Sequence, residues 1–166
     1  MKTTAFLTRI LSWLTGCRLT VDNSVVRELD LDRFLGSWYE VARFDHFFER
    51  GMSQTKANYV LREDGDIDVI NTGFKNGKPK TAKGKAKLTS TPALLRVSFF
   101  GPFYSDYRVM LVAADYRYIL IGSGSDGYLW ILSRTPQLPE SDRTAILNDA
   151  KRRGYDTNKL IWVRQH

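Results

Sequence analysis

The sequence has little sulfur, little imidazole and no long apolar run. One cysteine, Cys17, and two histidines, His46 and His166, stand among 166 residues. A lone thiol excludes an internal disulfide and a cysteine-rich zinc site, and two histidines give no basis for a histidine-built metal centre. No metal and no cofactor are expected. No stretch reaches the roughly eighteen consecutive apolar residues that a spanning helix needs. The net charge is +7, and six lysines (Lys75, Lys78, Lys80, Lys83, Lys85, Lys87) fall between residues 75 and 87 with no arginine and no aromatic among them. Without a ring to stack a base or a guanidinium to fork onto one, nucleic acid is not an expected partner.

With 43% hydrophobic, 13% aromatic and 26% charged residues, the composition is that of a globule rather than a disordered or fibrous chain, and the length is that of one domain. Lys83, Lys85 and Lys87 alternate with Ala82, Gly84 and Ala86, so on a strand the charges share one face. That face is either simply solvated or a contact for lipid headgroups.

Residues 1–16 differ from the rest. Met1-Lys2-Thr3-Thr4 is a short positive start, Ala5 to Leu14 is mostly apolar around Arg9, and Leu14-Thr15-Gly16 leads into Cys17. This resembles a bacterial lipoprotein signal, in which the peptide is cut before the cysteine and the thiol receives lipid. Cys17 would then be the lipidated N-terminus. The alternative is an uncleaved amphipathic helix with Phe6, Ile10, Trp13 and Leu14 on one face, lying on a membrane surface. The resulting division is a signal or amphipathic segment over 1–16, a linker over 17–31, and one domain over 32–166.

From Trp38 to Ser133 short runs rich in Val, Ile, Tyr, Phe and Leu alternate with Gly, Asp, Asn and Pro, an all-β rhythm. Strands are predicted over Trp38–Phe44, Thr55–Leu61, Ile67–Phe74, Lys80–Leu88, Leu94–Phe100, Tyr107–Ala113, Tyr118–Gly122 and Tyr128–Ser133. Asp64-Gly65, Asn76-Gly77 and Gly101-Pro102 mark the turns. Eight strands with hairpin-length links predict an up-and-down antiparallel barrel, which closes to hide its edges. Pro139, Glu140, Asp142, Lys151-Arg152-Arg153 and Gly154 bracket one α-helix over about 140–153, suited to lie outside the barrel. Leu160–Val163 is a short ninth strand. The glycines of Gly122-Ser123-Gly124-Ser125-Asp126-Gly127 have dinucleotide-loop spacing, but a strand follows them where a phosphate site needs a helix, so they are a hairpin turn.

Gly36-Ser37-Trp38 opens the first strand and Arg134 ends the eighth. With Ala114-Asp115-Tyr116, Ala42-Arg43-Phe44-Asp45-His46, Val97 to Tyr104, Leu132 to Pro136 and Ile161-Trp162-Val163, these residues resemble the lipocalins from about Asp32 to Arg164, and within them the bacterial outer-membrane lipoproteins related to apolipoprotein D. The usual threonine of the second motif is replaced by Ala114. The resemblance implies an eight-stranded cup whose closed end is plugged by Gly36, Trp38 and Arg134, the guanidinium crossing the indole in a cation–π contact worth ~1–2 kcal/mol. It also implies a protein that is lipid-anchored at the bacterial outer membrane and that stores or carries a small hydrophobic or amphiphilic ligand.

Counting alternate residues from Trp38 and Arg134 nominates Ala42, Phe44, Leu95, Val97, Phe99, Tyr107, Val109, Tyr118, Leu120, Tyr128 and Trp130 as the lining, with Ala57 on a neighbouring strand. Ala57, Asn71, Gly73, Ala82, Gly84 and Ala86 are too small to fill the lumen, so a cavity is expected beside them. Arg43 and His46 sit toward the open end, where they are either simply solvated or placed to meet a carboxylate or phosphate headgroup. The direction of Glu40 is left open. An aromatic cup suits an acyl chain: fourteen methylenes gain roughly 11 kcal/mol at ~0.8 each, against an association cost of ~4 or more. A fatty acid such as palmitate, or a lysophospholipid, is the expected ligand, with the membrane met through Cys17 and a homodimer compatible with the chain. The only cysteine lies upstream of the first strand and no nucleophile–base arrangement is placed in the lumen, so an enzyme is not expected. Two alternatives stand beside this: a lipid- or isoprenoid-modifying enzyme, and a membrane-surface module working through the lysine-rich strand.

Overall fold

A computed structural model describes residues 20–166. Cys17 and the expected signal segment lie outside the described residues. The chain forms α1 (Leu31–Phe34), β1 (Gly36–Phe44), β2 (Met52–Leu61), β3 (Ile67–Lys75), β4 (Lys78–Leu88), β5 (Leu94–Phe100), β6 (Phe103–Val112), β7 (Tyr118–Gly122), β8 (Leu129–Ser133), α2 (Glu140–Arg152), a 3₁₀ turn (Thr157–Lys159) and β9 (Leu160–Trp162). Every neighbouring pair from β1 through β8 is antiparallel, and β1 also pairs β8, which closes the barrel. The fold class is that expected from the strand rhythm.

Closure depends on how β1 is shared. Its first residues, Gly36 to Tyr39, pair Tyr59 to Lys56 of β2, and its last, Ala42 to Phe44, pair β9 along the same edge. The other edge pairs β8 with a bulge between Glu40 and Ala42. A bulge inserts one residue and reverses the side-chain alternation beyond it. Trp38 and Glu40 therefore point into the barrel, Ala42 and Phe44 point out of it, and Arg43 points in.

Turn chemistry accounts for the links. Asn76 and Gly77 both take positive φ (52° and 72°), the backbone of a tight two-residue hairpin between β3 and β4. Gly101-Pro102 is similarly tight, since Phe100 pairs Phe103 directly. For that reason β6 starts at Phe103, four residues before the expected Tyr107.

Two apolar clusters divide the interior. One fills the lower barrel around Phe34, Trp38, Tyr59, Ile67, Leu95, Val109, Ile119 and Ile121. The other lies between the outer wall and α2, joining Ala42, Phe44, Met110, Tyr118, Leu120 and Ile131 to Ile146 and Ala150 of the helix. α2 is tied down at its start by Asp142, which accepts two bonds from Arg117 (2.8 and 2.7 Å). At its far end Arg153 donates to the Met110 carbonyl. From Thr20 on, the segment expected to be a linker runs along the wall from the open end to the closed end. Thr20 bonds Asp126, the amide of Val26 bonds Val109, and the amide of Asp30 bonds the Tyr116 hydroxyl.

Candidate ligand-binding cup

The closed end is built from the turn that precedes β1. Asp30 caps α1 by accepting from the Arg33 amide, and α1 brings Phe34 under the barrel. Gly36 follows with φ +89°, a backbone that side chains disfavour, and so turns the chain into β1. The fully buried Trp38 donates its indole N–H to the Phe34 carbonyl at 2.8 Å. The Arg134 guanidinium stacks 3.6 Å from the Trp38 ring centroid and donates to the carbonyls of Ser37, at 2.7 Å, and Leu35, at 2.9 Å. Arg134 thus joins the end of β8 to the turn that starts β1. Ala114-Asp115-Tyr116 serves the same end: Tyr116 stacks under Arg33 and Ala114 offers it a carbonyl. Only the backbone of Ala114 is used, which is why the missing threonine is tolerated.

Above this plug opens a cavity of about 760 Å³, within the roughly 300–1,000 Å³ usual for small-molecule sites. Its floor holds Tyr59 and Tyr107, whose hydroxyls bond each other at 2.6 Å. Burial pushes both phenols above their ordinary range, so both stay neutral. Ala57, Val69, Asn71 and Ala82 form one wall; Val97, Phe99, Tyr107, Tyr128, Trp130 and Leu132 supply much of the rest. Tyr128 and Trp130 are stacked with centroids 5.7 Å apart.

Small residues make the hollow at some positions and not at others. Ala57, Asn71 and Ala82 leave open space, Asn71 and Ala82 facing each other across β3 and β4. Gly84 does not, since a Cβ there would meet the Ser98 carbonyl and the Phe99 ring at 2.6–2.8 Å, and Gly73 is covered by Met52 and Thr55. Ala86 is packed into the lower core.

The structure brings six of the twelve nominated lining residues to the cavity: Ala57, Val97, Phe99, Tyr107, Tyr128 and Trp130. The other six are corrected. Leu95 and Val109 face inward but are fully buried in the packed lower barrel, beneath the cavity. Ala42, Phe44, Tyr118 and Leu120 face outward against α2. The β1 bulge turns the first two. Tyr118 and Leu120 are displaced by register: Ile119 pairs Leu132 and Ile121 pairs Trp130, so it is the isoleucines of β7 that share the inner face.

A charged cluster occupies the upper wall, and alternation from Trp38 indicates only its first member. Glu40 points into the cup and accepts from Arg43 at 2.6 Å and from the Thr55 hydroxyl at 3.2 Å. Arg43 is buried and also donates to the carbonyls of Glu49 and Met52, so it clamps the β1–β2 loop instead of standing free for a headgroup. The same loop carries Glu49, which lies 2.7 Å from the ring nitrogen of His46 and accepts from the Trp130 indole at 3.2 Å. His46 is buried against Phe48 and Trp130. Burial, with the Glu49 carboxylate nearby, pushes Glu40 up to about 8 despite the Arg43 bond. For Glu49 the cost of burial is outweighed by His46, Trp130 and Arg43, and its carboxyl sits below the usual range. One carboxylic acid and one carboxylate therefore share the wall. Phe48 and Glu49 come from a loop with no periodicity to announce them, and Met52 opens β2 three residues before the expected strand start; Tyr59 was legible, two residues beyond Ala57.

Lys83, Lys85 and Lys87 of the lysine-rich strand lie on the outer face, as expected, whereas Lys80 shares the parity of Ala82 and reaches the cavity rim. Lys85 is held by Asp66 at 2.7 Å and Lys87 lies over the Tyr104 ring, so two of the three are engaged locally.

Comparison with known proteins agrees with this geometry. The lipocalin-like domain family matches residues 29–165. The outer membrane lipoprotein Blc of Citrobacter freundii is 48% identical over 146 residues, covering 86% of this chain and 82% of that protein. The outer membrane lipoprotein Blc of Vibrio cholerae is 46% identical over 159 residues, 92% of each. Apolipoprotein D of Mus musculus is 33% identical over 152 residues, covering 85% of this chain and 79% of that one. Among solved structures, apocrustacyanin C1 superposes with a TM-score of 0.70 at 17% identity, over 82% of this chain and 80% of that one, a likeness of fold.

Proposed function

Because this chain belongs to the lipocalin family, whose members bind small hydrophobic ligands, we propose that its cup holds one single-chain amphiphile, a fatty acid or a lysophospholipid, for storage or transport at the bacterial outer membrane. The observation that carries this reading is the 760 Å³ cavity, aromatic and aliphatic for most of its wall and closed below by the Trp38–Arg134 stack. Such a space has room for an acyl chain and little polar surface to make a rigid polar molecule welcome. The mechanism is desolvation without bond chemistry. Among the described residues of the cup, Glu40, Arg43 and Glu49 are directed at one another and at the loop, and none stands as a nucleophile aligned with a base. Cys17 carries the lipid anchor, in keeping with relatives named outer membrane lipoproteins.

Three measurements test the reading. Lipid extracted from the purified protein should contain a single-chain amphiphile in near-stoichiometric amount. Trp130→Ala, which removes a wall ring and the partner of Glu49, should weaken rebinding of palmitate at least several-fold; unchanged affinity removes this wall from the site. Mass spectrometry of membrane-fraction protein should find diacylglyceryl on Cys17, and an intact residue 1–17 segment would place the anchor elsewhere.

A further inference from the structure

The geometry points to the open mouth of the cup as a membrane-docking surface, with its phenylalanine tips entering the headgroup–acyl boundary of an anionic bilayer. Phe47, Phe100 and Phe103 are 77, 76 and 78% exposed, and Phe48 and Phe74 are exposed beside them. All five lie at the same end. Phe47 and Phe48 belong to the β1–β2 loop, Phe74 precedes the β3–β4 turn, and Phe100 and Phe103 flank the β5–β6 turn. Alternate links of an up-and-down barrel share one end, so these three loops ring the mouth above the cavity. Large rings scattered singly over a surface need no explanation, but five converging on one rim mark a contact site.

The charge beside them indicates what is met. Lys75, Lys78 and Lys80 stand on the β3–β4 hairpin, next to Phe74, with Lys78 and Lys80 exposed. The acidic groups at this end are engaged: Asp45 pairs Arg50 at 2.8 Å, Glu49 meets His46, Asp106 pairs Arg96 and Arg108, Asp156 accepts from the Asn158 amide, and Asp126, across the mouth from the lysines, accepts from the Thr20 hydroxyl at 2.8 Å. An apolar rim with lysines along one side suits an anionic lipid surface, which attracts the lysines while the rings are buried.

The path of the N-terminal segment agrees. Thr20 sits at the mouth, against the β7–β8 loop, and Cys17 is three residues upstream. Three residues span at most about 11 Å. A lipid on Cys17 therefore tethers the chain at its mouth end, and the cup faces the bilayer instead of the aqueous space. A ligand then passes from membrane to cup without crossing water. The tether rests on the proposed lipidation; the rim stands on its own residues.

The test uses the full chain with Cys17→Ser, so that no acyl anchor contributes, and vesicles of phosphatidylethanolamine with or without phosphatidylglycerol. Phe47→Ser/Phe74→Ser and Lys75→Glu/Lys78→Glu alter the rim at positions off the cavity wall. The phenylalanine pair should lower vesicle binding about ten-fold or more, and the lysine pair should remove the preference for phosphatidylglycerol and the dependence on salt. Transfer of a fluorescent fatty acid from vesicle to protein should slow in step, while its affinity in vesicle-free buffer stays at the parent value. Vesicle binding that is unchanged by both variants overturns the docking surface and leaves the cup untouched. Loss of self-association in the phenylalanine variant, with vesicle binding intact, overturns it as well and assigns the rim to a second copy of the chain. Rim-dependent vesicle binding by a parent protein that takes up no fatty acid supports docking and defeats the cup reading instead.

Discussion

The hollow beside β4 makes its sharpest prediction at Ala82. This residue lines the cavity on the same wall as its β3 partner Asn71, while its neighbour Lys83 points away from the barrel. In Ala82→Trp an indole enters the space intended for an acyl chain. A tryptophan side chain covers roughly 150–250 Å², enough to displace on the order of six methylenes. At ~0.8 kcal/mol per methylene the loss is about 5 kcal/mol, which is roughly three orders of magnitude in Kd. Displacement of a fluorescent fatty acid by palmitate measures the affinity, and a thermal scan of the same sample shows that the barrel has closed. Lys83→Trp on the same strand is the control: the opposite parity should leave affinity within about two-fold of the parent. Should Ala82→Trp bind palmitate like the parent with an unchanged Tm, the ligand does not occupy this hollow and the argument from small side chains fails.

Other consequences can be measured with the same two assays. Arg134→Ala removes a half-buried cation–π contact and the bonds to the carbonyls of Ser37 and Leu35, and should cost about 3 kcal/mol, or a fall in Tm of roughly 6–12 °C; a fall under ~2 °C would mean that the plug adds little to stability. Leu120→Ala should cost about 2–5 kcal/mol of stability and leave palmitate affinity unchanged, because Leu120 packs beneath α2 and not in the cup; weakened binding without destabilisation would restore it to the lumen. Glu40 is raised in the folded state from 4.5 to about 8, so between these values the folded protein holds a proton that the unfolded chain has released. Its contribution is complete below pH 4.5 and is lost as pH rises toward 8. Denaturant titrations should show stability declining across that window, and Glu40→Gln should flatten the decline. Glu49 acts in the other direction, its contribution disappearing only as pH falls below the usual carboxylate range, so the two are separable.

The amino-acid sequence alone determined the architecture. Strand-length apolar runs between turn dipeptides forced a meander and the helix ends were written by Pro139 and Gly154, because side-chain alternation and turn backbone chemistry act over a few residues. The small side chains at Ala57, Asn71 and Ala82 made a hollow legible for the same reason. The plugged end at Trp38 and Arg134 was legible only through the resemblance to the lipocalins. Tertiary structure decided which face each strand presents. A bulge after Glu40 sent Ala42 and Phe44 to the helix, and the register of β7 on β8 exchanged Tyr118 and Leu120 for Ile119 and Ile121. Register is set by pairing between distant segments, and one residue of slip reverses every side chain, so no count along a single strand can supply it. The charged wall formed in the same way: Glu49, brought back over the mouth by a loop that Arg43 clamps, meets Glu40 and Trp130 only once the barrel is closed.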